Sequence, residues 1–390
     1  MSAPGYANRV AGFGTTIFAE INNLSLKHGA VNLGQGRPDF DGPQEVVEAA
    51  IDALRSGKCN QYAPGRGIPE LMEGIARHAA VFYDMEVDPE NGVLVTPGAT
   101  EAIFCSIMGL IDPGDEVIVI EPFYDSYVPG IEMAGASPVY VSLHPPDWVF
   151  EPEELRAAFS DRTRAIIINT PNNPTGRVFT RAELQLIADL CLQHDGIVIA
   201  DEVYEHLLFD NARHIPIASL PGMFERTVTV GSAGKTFGMT GWKIGWVYGP
   251  PDLITGAWRS IQFTSFATNH PAQVGVAHGF AMGNSYYEEY QALYHSKRAL
   301  MMDVLAGAGM KSILPQGTYF VMADFSDLFD GDDMAFTQHM IEEIGVSCIP
   351  PSVFFTPEHR HITRDHVRFT FCKNDDTLLQ AAELMRKLRG

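Results

Sequence analysis

Between about residues 45 and 290, short apolar runs alternate with stretches of helical periodicity. This alternation restricts the available folds more than any other feature of the chain. The apolar runs are Val93–Thr96, Glu116–Ile120, Ala165–Asn169, Ile197–Ala200, Thr227–Val230 and Ile244–Tyr248. Several show no inside–outside alternation, the pattern of strands buried on both faces. Helical stretches are expected at Gln44–Ser56, Pro69–Tyr83 and near 100–110, 124–134, 180–194 and 251–263. Val46, Ala49, Ala50, Ala53 and Leu54 recur at helical spacing and stop at Gly57, which suits a helix C-terminus. Pro69 stands where a first turn tolerates proline. Such alternation predicts an α/β fold, a mostly parallel sheet covered by helices. After about residue 290 the texture changes to a long helix (Tyr286–Ala306), a strand (Tyr319–Asp324), a helix near 333–344, a strand (Val367–Phe371) and a last helix from Asp375. This reads as a smaller α+β unit.

Length and charge narrow the function. A chain of 390 residues holds two to three compact units. Its 27 basic and 48 acidic residues leave a net charge of −21, which argues against nucleic acid and anionic membrane surfaces as partners. A local basic pocket for a small anion remains open. The cysteines (Cys59, Cys105, Cys191, Cys348, Cys372) are scattered, odd in number and form no C-x-x-C, so a reducing, cytoplasmic location is expected. Residues 1–14 lack a secretory pattern, and no apolar run approaches the roughly 18 residues of a membrane span. No metal site is expected: the closest histidine pair, His359 and His361, flanks Arg360 with no matching ligand cluster at zinc spacing. Met301-Met302 and the aromatic Tyr286–Tyr294 stretch read as core and interface.

The strongest local signal is Val230-Gly-Ser-Ala-Gly-Lys-Thr-Phe237, followed by Thr240-Gly-Trp-Lys-Ile-Gly-Trp246. A strand ends in small residues that let backbone approach a ligand, then offers the Ser232 hydroxyl and the Lys235 amine, with Lys243 as a second cation. A nucleotide P-loop needs a glycine five residues before Gly234, and position 229 is Thr. Two further segments, Asn169-Thr-Pro-Asn-Asn-Pro-Thr-Gly176 and Ala200-Asp-Glu-Val-Tyr204, also directly follow apolar strands. Alone, the first could be a turn and the second a helix N-terminus. In open α/β sheets ligands lie beyond the carboxyl ends of the strands, so Asn173, Asp201, Tyr204 and Lys235 can converge on one crevice.

With these segments the sequence resembles the class I/II aminotransferases of the fold type I group, which depend on pyridoxal 5′-phosphate. It is most similar to the branch of kynurenine aminotransferases, glutamine transaminase K, methionine aminotransferases and N-succinyldiaminopimelate aminotransferases. The resemblance runs from about Phe18 onward. It also rests on Asn32-Leu-Gly-Gln-Gly36, Asn60-Gln-Tyr62, Thr96-Pro-Gly-Ala-Thr-Glu101, Glu121-Pro-Phe-Tyr124 and Val367-Arg-Phe-Thr-Phe371. It implies a large cofactor domain over 46–289 and a small domain built from both chain ends, 1–45 and 290–390.

The resemblance also assigns roles. Lys235 would form the internal aldimine with the cofactor and then shuttle a proton at the substrate Cα, as a lysine of lowered pKa can. Asp201 would sit against the pyridine nitrogen and keep it protonated. Tyr204 and Asn173 would hydrogen-bond the ring oxygen, and Tyr124 would stack on the ring. Gly98, Ala99 and Thr100 at a helix N-terminus, with Ser232 and Lys243, would hold the phosphate. Tyr62 would reach the phosphate of the neighbouring subunit, implying a homodimer with shared sites. Arg368 would clamp the substrate α-carboxylate, with Asn173 and the Gly36 N–H beside it. The apolar run around Arg368 favours an inward side chain.

Arg37 is a departure, because the related branch often has phenylalanine there. Either it recognises a second carboxylate on the substrate, or it points to solvent or pairs with Asp39. The implied reaction is ping-pong transamination between an L-amino acid and a 2-oxo acid. The alternative on the same scaffold is a β-lyase, a replacement enzyme or a cyclisation enzyme.

Overall fold

The computed structural model describes residues 5–389. Strand β1 is Val31–Asn32, and β2 to β8 are Val93–Thr96, Glu116–Glu121, Ser137–Ser142, Thr163–Asn169, Ile197–Asp201, Thr227–Ser232 and Gly245–Tyr248. The remaining strands are β9 (Lys311–Ser312), β10 (Phe320–Asp324), β11 (Val346–Ser347) and β12 (His366–Thr370). Strands β2 to β8 make one seven-stranded sheet in the order β2-β8-β7-β6-β5-β3-β4. Only β8 runs antiparallel to both its neighbours, β2 and β7. The other pairs are parallel.

The missing alternation in the apolar runs has a physical basis in this sheet. Val117, Val119, Ile167, Ile197, Ile199 and Val230 face one core. Ile118, Ile120, Ile166, Ile168, Val198 and Ala200 face another. Successive side chains alternate between two dry layers rather than between core and water.

Six of the seven strands follow from those runs; β4 does not. It contains Pro138 and lies at the sheet edge, the position where a strand tolerates proline. The helices Gln44–Ser56 and Pro69–Tyr83 have the expected limits, and Gly57 caps the first in the left-handed conformation. The helix expected near 124–134 begins later, at Tyr127, leaving Tyr124 on the preceding loop. Four helices, Ile17–His28, Pro152–Ala158, the one-turn Ala233–Thr236 and His270–Phe280, were not expected from periodicity. The last carries two interior glycines, ordinarily helix-weakening. A Cβ at Gly275 would lie 2.8 Å from the Val46 carbonyl oxygen, and one at Gly279 3.0 Å from the Phe237 ring. The glycines that blur the helical pattern let this helix pack closely on its neighbours.

Towards the C-terminus, β10 lies between β12 and β9 in an antiparallel sheet. The chain ends meet where β1 pairs in parallel with β11, Val31 opposite Val346. The helix expected near 333–344 is Asp333–His339, continued by a π-helical turn, Met340–Ile344.

Candidate active site

Strands β5 and β6 end in register at Asn169 and Asp201, and β7 runs on through Ser232 into the short helix Ala233–Thr236 that carries Lys235. These carboxyl ends wall a cavity of about 170 Å³. Asn173, Tyr204, Lys235, Asp201 and Tyr124 line one part, and Gly98, Ala99, Thr100, Ser232 and Lys243 another. Ten of the sequence-derived site residues therefore face one space. Arg368 and Gly36 adjoin it through hydrogen bonds described below; Tyr62 and Arg37 do not line it.

Asn169 organises the polar floor. Its Nδ2 donates to the Asp201 carbonyl at 2.9 Å, and its Oδ1 accepts from the Asn173 N–H at 2.8 Å. The Asp201 carboxylate accepts from the Tyr127 hydroxyl at 2.5 Å and from the Val203 N–H at 3.4 Å. Burial pushes this carboxyl up to about 6, while the Tyr127 bond, the Val203 N–H and the Lys235 charge act in the opposite direction. At neutral pH and above it is mainly ionised, as a partner for a protonated ring nitrogen must be.

Lys235 Nζ donates to the Tyr319 hydroxyl at 2.7 Å, and that hydroxyl donates to the Gly36 carbonyl at 2.8 Å. Burial, aided by the nearby Arg368 and Lys243 charges and opposed by Cys372 and Asp201, lowers the amine to about 8. A substantial neutral fraction near pH 8 makes this amine nucleophilic. Its helix is braced by tyrosines: Tyr290 donates to the Lys235 carbonyl at 2.6 Å and Tyr286 to the Thr236 carbonyl at 2.8 Å. The aromatic stretch read from sequence as core and interface thus also holds the lysine's backbone.

The opposite end of the cavity is an anion cradle. Gly98, at φ +84°, precedes the helix Ala99–Leu110, whose first N–H groups are free of intrahelical partners. A Cβ on Gly98 would stand 3.0 Å from Lys243 Nζ, and one on Gly245 2.5 Å from the Gly98 carbonyl carbon. Glycine at both positions lets the ammonium approach the helix N-terminus.

Arg368 is only 1% exposed. Its Nη1 donates to Asn173 Oδ1 at 2.8 Å and its Nη2 to the Gly34 carbonyl at 2.6 Å, while Nε has no partner among the described residues. The guanidinium lies 4.1 Å from the Phe320 ring centre, with Phe18 and Phe354 beyond. Burial lowers its pKa to about 10. No carboxylate pairs with it among the described residues. A buried, unneutralised guanidinium with spare donors is a carboxylate receptor. Gly36 is required nearby, because a Cβ there would come within 2.6 Å of Phe320 and 2.8 Å of Tyr319.

The residues at the rim behave differently. Tyr62 is 82% exposed and packs edge-on against Phe266 at 5.3 Å. Arg37 is exposed, and no ion pair engages it among the described residues. Asp39 instead accepts from the Asn374 N–H and the Thr377 hydroxyl, at 2.5 and 2.7 Å. His359 bonds Glu121 at 2.5 Å and His361 bonds the Glu358 carbonyl at 2.9 Å.

Sequence reasoning missed Tyr127, Asn169 and Tyr319. Tyr127 stands three residues after Tyr124, and Asn169 closes a strand already marked as pointing at the site. Those are the signals that could have found them. Tyr319 meets Lys235 across 84 positions of chain, and only the tertiary fold reveals it.

The donor set fits pyridoxal phosphate: an amine of depressed pKa, a buried carboxylate, and a cradle of N–H, hydroxyl and ammonium groups. The chain matches the family model described as "Aminotransferase class I and II" over residues 28–384. It is similar to the solved structure of N-succinyldiaminopimelate aminotransferase from Mycobacterium tuberculosis, with 44% identity, a TM-score of 0.94, and coverage of 98% of this chain and 100% of that one. It is also similar to a methionine aminotransferase of Escherichia coli, with 36% identity, a TM-score of 0.93, and coverage of 98% and 100%. Kynurenine–oxoglutarate transaminase 3 of Rattus norvegicus is 41% identical over 97% of this chain and 89% of its own length.

Proposed function

The chain belongs to the class I and II aminotransferases, and from that membership we propose how its own residues divide the work. The enzyme transfers an amino group between an amino acid and a 2-oxo acid, with pyridoxal 5′-phosphate as cofactor. The relatives are transaminases, which favours amino transfer over elimination, replacement or cyclisation. When bound, the cofactor supplies an electron sink for the bond broken at the substrate Cα.

In this reading Lys235 Nζ would hold the cofactor and carry the proton at the substrate Cα. Asp201, oriented by Tyr127, would keep the ring nitrogen protonated. Tyr204 and Asn173 would hydrogen-bond the ring oxygen, and Tyr124 would pack against the ring. Gly98, Ala99, Thr100, Ser232 and Lys243 would hold the phosphate. Arg368 and the Gly36 N–H would bind and orient the substrate α-carboxylate. The observation that carries this division is the convergence of a lysine amine of depressed pKa, a buried carboxylate and an anion cradle on one 170 Å³ cavity.

The chain divides into a large domain, 46–289, and a small one, 1–45 with 290–390. It works as a homodimer in which Tyr62 completes the neighbouring site; Tyr62 at 82%, Phe263 at 90% and Phe266 at 53% exposure form an apolar surface suited to burial by a second copy. A cytoplasmic location fits the five unpaired cysteines. Arg37, without an ion-pair partner among the described residues, selects substrates bearing a second carboxylate.

The test is a panel of amino acids added singly to the holoenzyme, with the cofactor absorbance followed. Conversion of the cofactor to its amine form by an amino acid alone supports transamination. Release of ammonia and a 2-oxo acid without that conversion supports elimination. Arg37→Phe shifts preference from acidic towards aromatic amino acids; unchanged relative specificity removes the Arg37 role.

A further inference from the structure

A second polar cluster lies outside the cavity, behind the loop that follows Asp201. His78 projects from the helix Pro69–Tyr83, and Glu205 and His206 come from the loop after β6. The Nε2 atoms of His78 and His206 face each other at 2.6 Å, across 128 positions of chain. Glu205 Oε1 lies 4.0 Å from His78 Nε2, and one ligand atom from each of the three residues falls within 4.8 Å of the others. His78 is 7% exposed and Glu205 6%.

We propose that His78, His206 and Glu205 form a binding site for a divalent transition-metal ion of zinc type. Two imidazole nitrogens and a carboxylate are ligands of matched softness for zinc, and three protein ligands leave a fourth position for water. Tetrahedral coordination at roughly 2.0–2.1 Å separates ligand atoms by about 3.3 Å. Binding would widen the 2.6 Å gap between the two imidazole nitrogens and bring Glu205 Oε1 in from its 4.0 Å spacing to His78 Nε2. The supporting shell is built: the Tyr83 hydroxyl donates to Glu205 Oε2 at 2.5 Å, fixing the carboxylate with Oε1 towards the histidines. Tyr287 lies against the His206 ring at 4.1 Å, and Phe82 and Phe280 flank His78. Access exists from two sides, through a cavity of about 380 Å³ bordered by His78 and Phe82 and one of about 340 Å³ bordered by Glu205 and His206.

Of the two Nε2 atoms facing each other, one carries a proton and the other a lone pair; when the donor ring moves its proton to Nδ1, both Nε2 lone pairs face the gap and can ligate one ion. The bound ion would tie the loop bearing Tyr204 to the helix Pro69–Tyr83, stiffening the cavity wall from behind.

The test uses chelator-treated holoenzyme titrated with zinc chloride, in wild type, His78→Gln, His206→Gln and a distant control, His361→Gln. The expected result is one zinc per subunit and a raised thermal midpoint in wild type and control. In His78→Gln and His206→Gln the affinity falls by more than about tenfold and the thermal shift disappears. Substoichiometric binding by wild type, or equal affinity in all four proteins, overturns the site. Retained cofactor absorbance and activity in chelator show that the variants fold. If either variant fails to fold, anomalous diffraction from zinc-soaked wild type decides: a zinc peak between His78 and His206 upholds the site, and a peak elsewhere or none refutes it.

Discussion

Replacing Arg368 with glutamine should separate substrate binding from stability. The guanidinium has five N–H donors; two are used by Asn173 and Gly34, which leaves three for a ligand. A substrate carboxylate gripped by two of them gains two charge-assisted bonds, worth about 3 to 6 kcal/mol together. Arg368→Gln should therefore lower kcat/KM for every amino acid by roughly a hundredfold to ten-thousandfold. Folding responds differently. Burial lowers the guanidinium from 12.5 to about 10, which corresponds to about 3 kcal/mol against the charged native form at neutral pH. Removing the charge recovers that cost, and losing the charge-assisted bonds to Asn173 and Gly34 offsets it by about 3 to 6 kcal/mol. The net change in stability should be a loss of at most about 3 kcal/mol. Steady-state kinetics and urea unfolding of the holoenzyme measure the two quantities, with the cofactor absorbance as a check on the cavity. A loss of several kcal/mol with kcat/KM little changed would make Arg368 a structural residue and refute the reasoning.

Asp201→Asn should lower turnover by at least about a hundredfold. In the cofactor-free protein the raised Asp201 pKa means that the native state holds the proton more tightly than the unfolded chain, so this residue's contribution falls as pH rises from 3.8 through about 6. Asp201→Asn should thus stabilise the cofactor-free protein above pH 6, by up to about 3 kcal/mol, and not below pH 4; unfolding curves at both pH values check it. Cofactor recapture by the cofactor-free protein should accelerate with a midpoint near 8, the lowered value of Lys235. A stopped-flow pH profile with its midpoint near 10 would show that burial does not depress this amine.

Much of this was legible in the sequence, for reasons that differ by residue. The strands β3, β5, β6 and β7 announce themselves because both faces are dry and every position can be apolar. Edge strand β4 was hidden by Pro138 and its partly exposed face, and the helix His270–Phe280 by the glycines that its close packing needs. Lys235, Asp201 and Asn173 could be anticipated to converge because each follows a strand in a sheet whose ligands gather at the carboxyl ends. The inward course of Arg368 could be read from Val367 and Phe369 on either side, both fully buried. Contacts between distant segments carried no such local mark. Tyr319 is an ordinary strand aromatic until the fold sets its hydroxyl between Lys235 and Gly36. His78 and His206 are likewise unremarkable in the chain and become a cluster only when the helix Pro69–Tyr83 packs behind the loop that follows β6.

The most direct measurement is reduction of the holoenzyme with borohydride, followed by proteolysis and mass spectrometry to locate the attached cofactor. The label should lie on Lys235 alone, and Lys235→Ala should abolish both the label and turnover. A label on Lys243 or any other lysine, or turnover that survives Lys235→Ala, would contradict the assignment of the reactive amine.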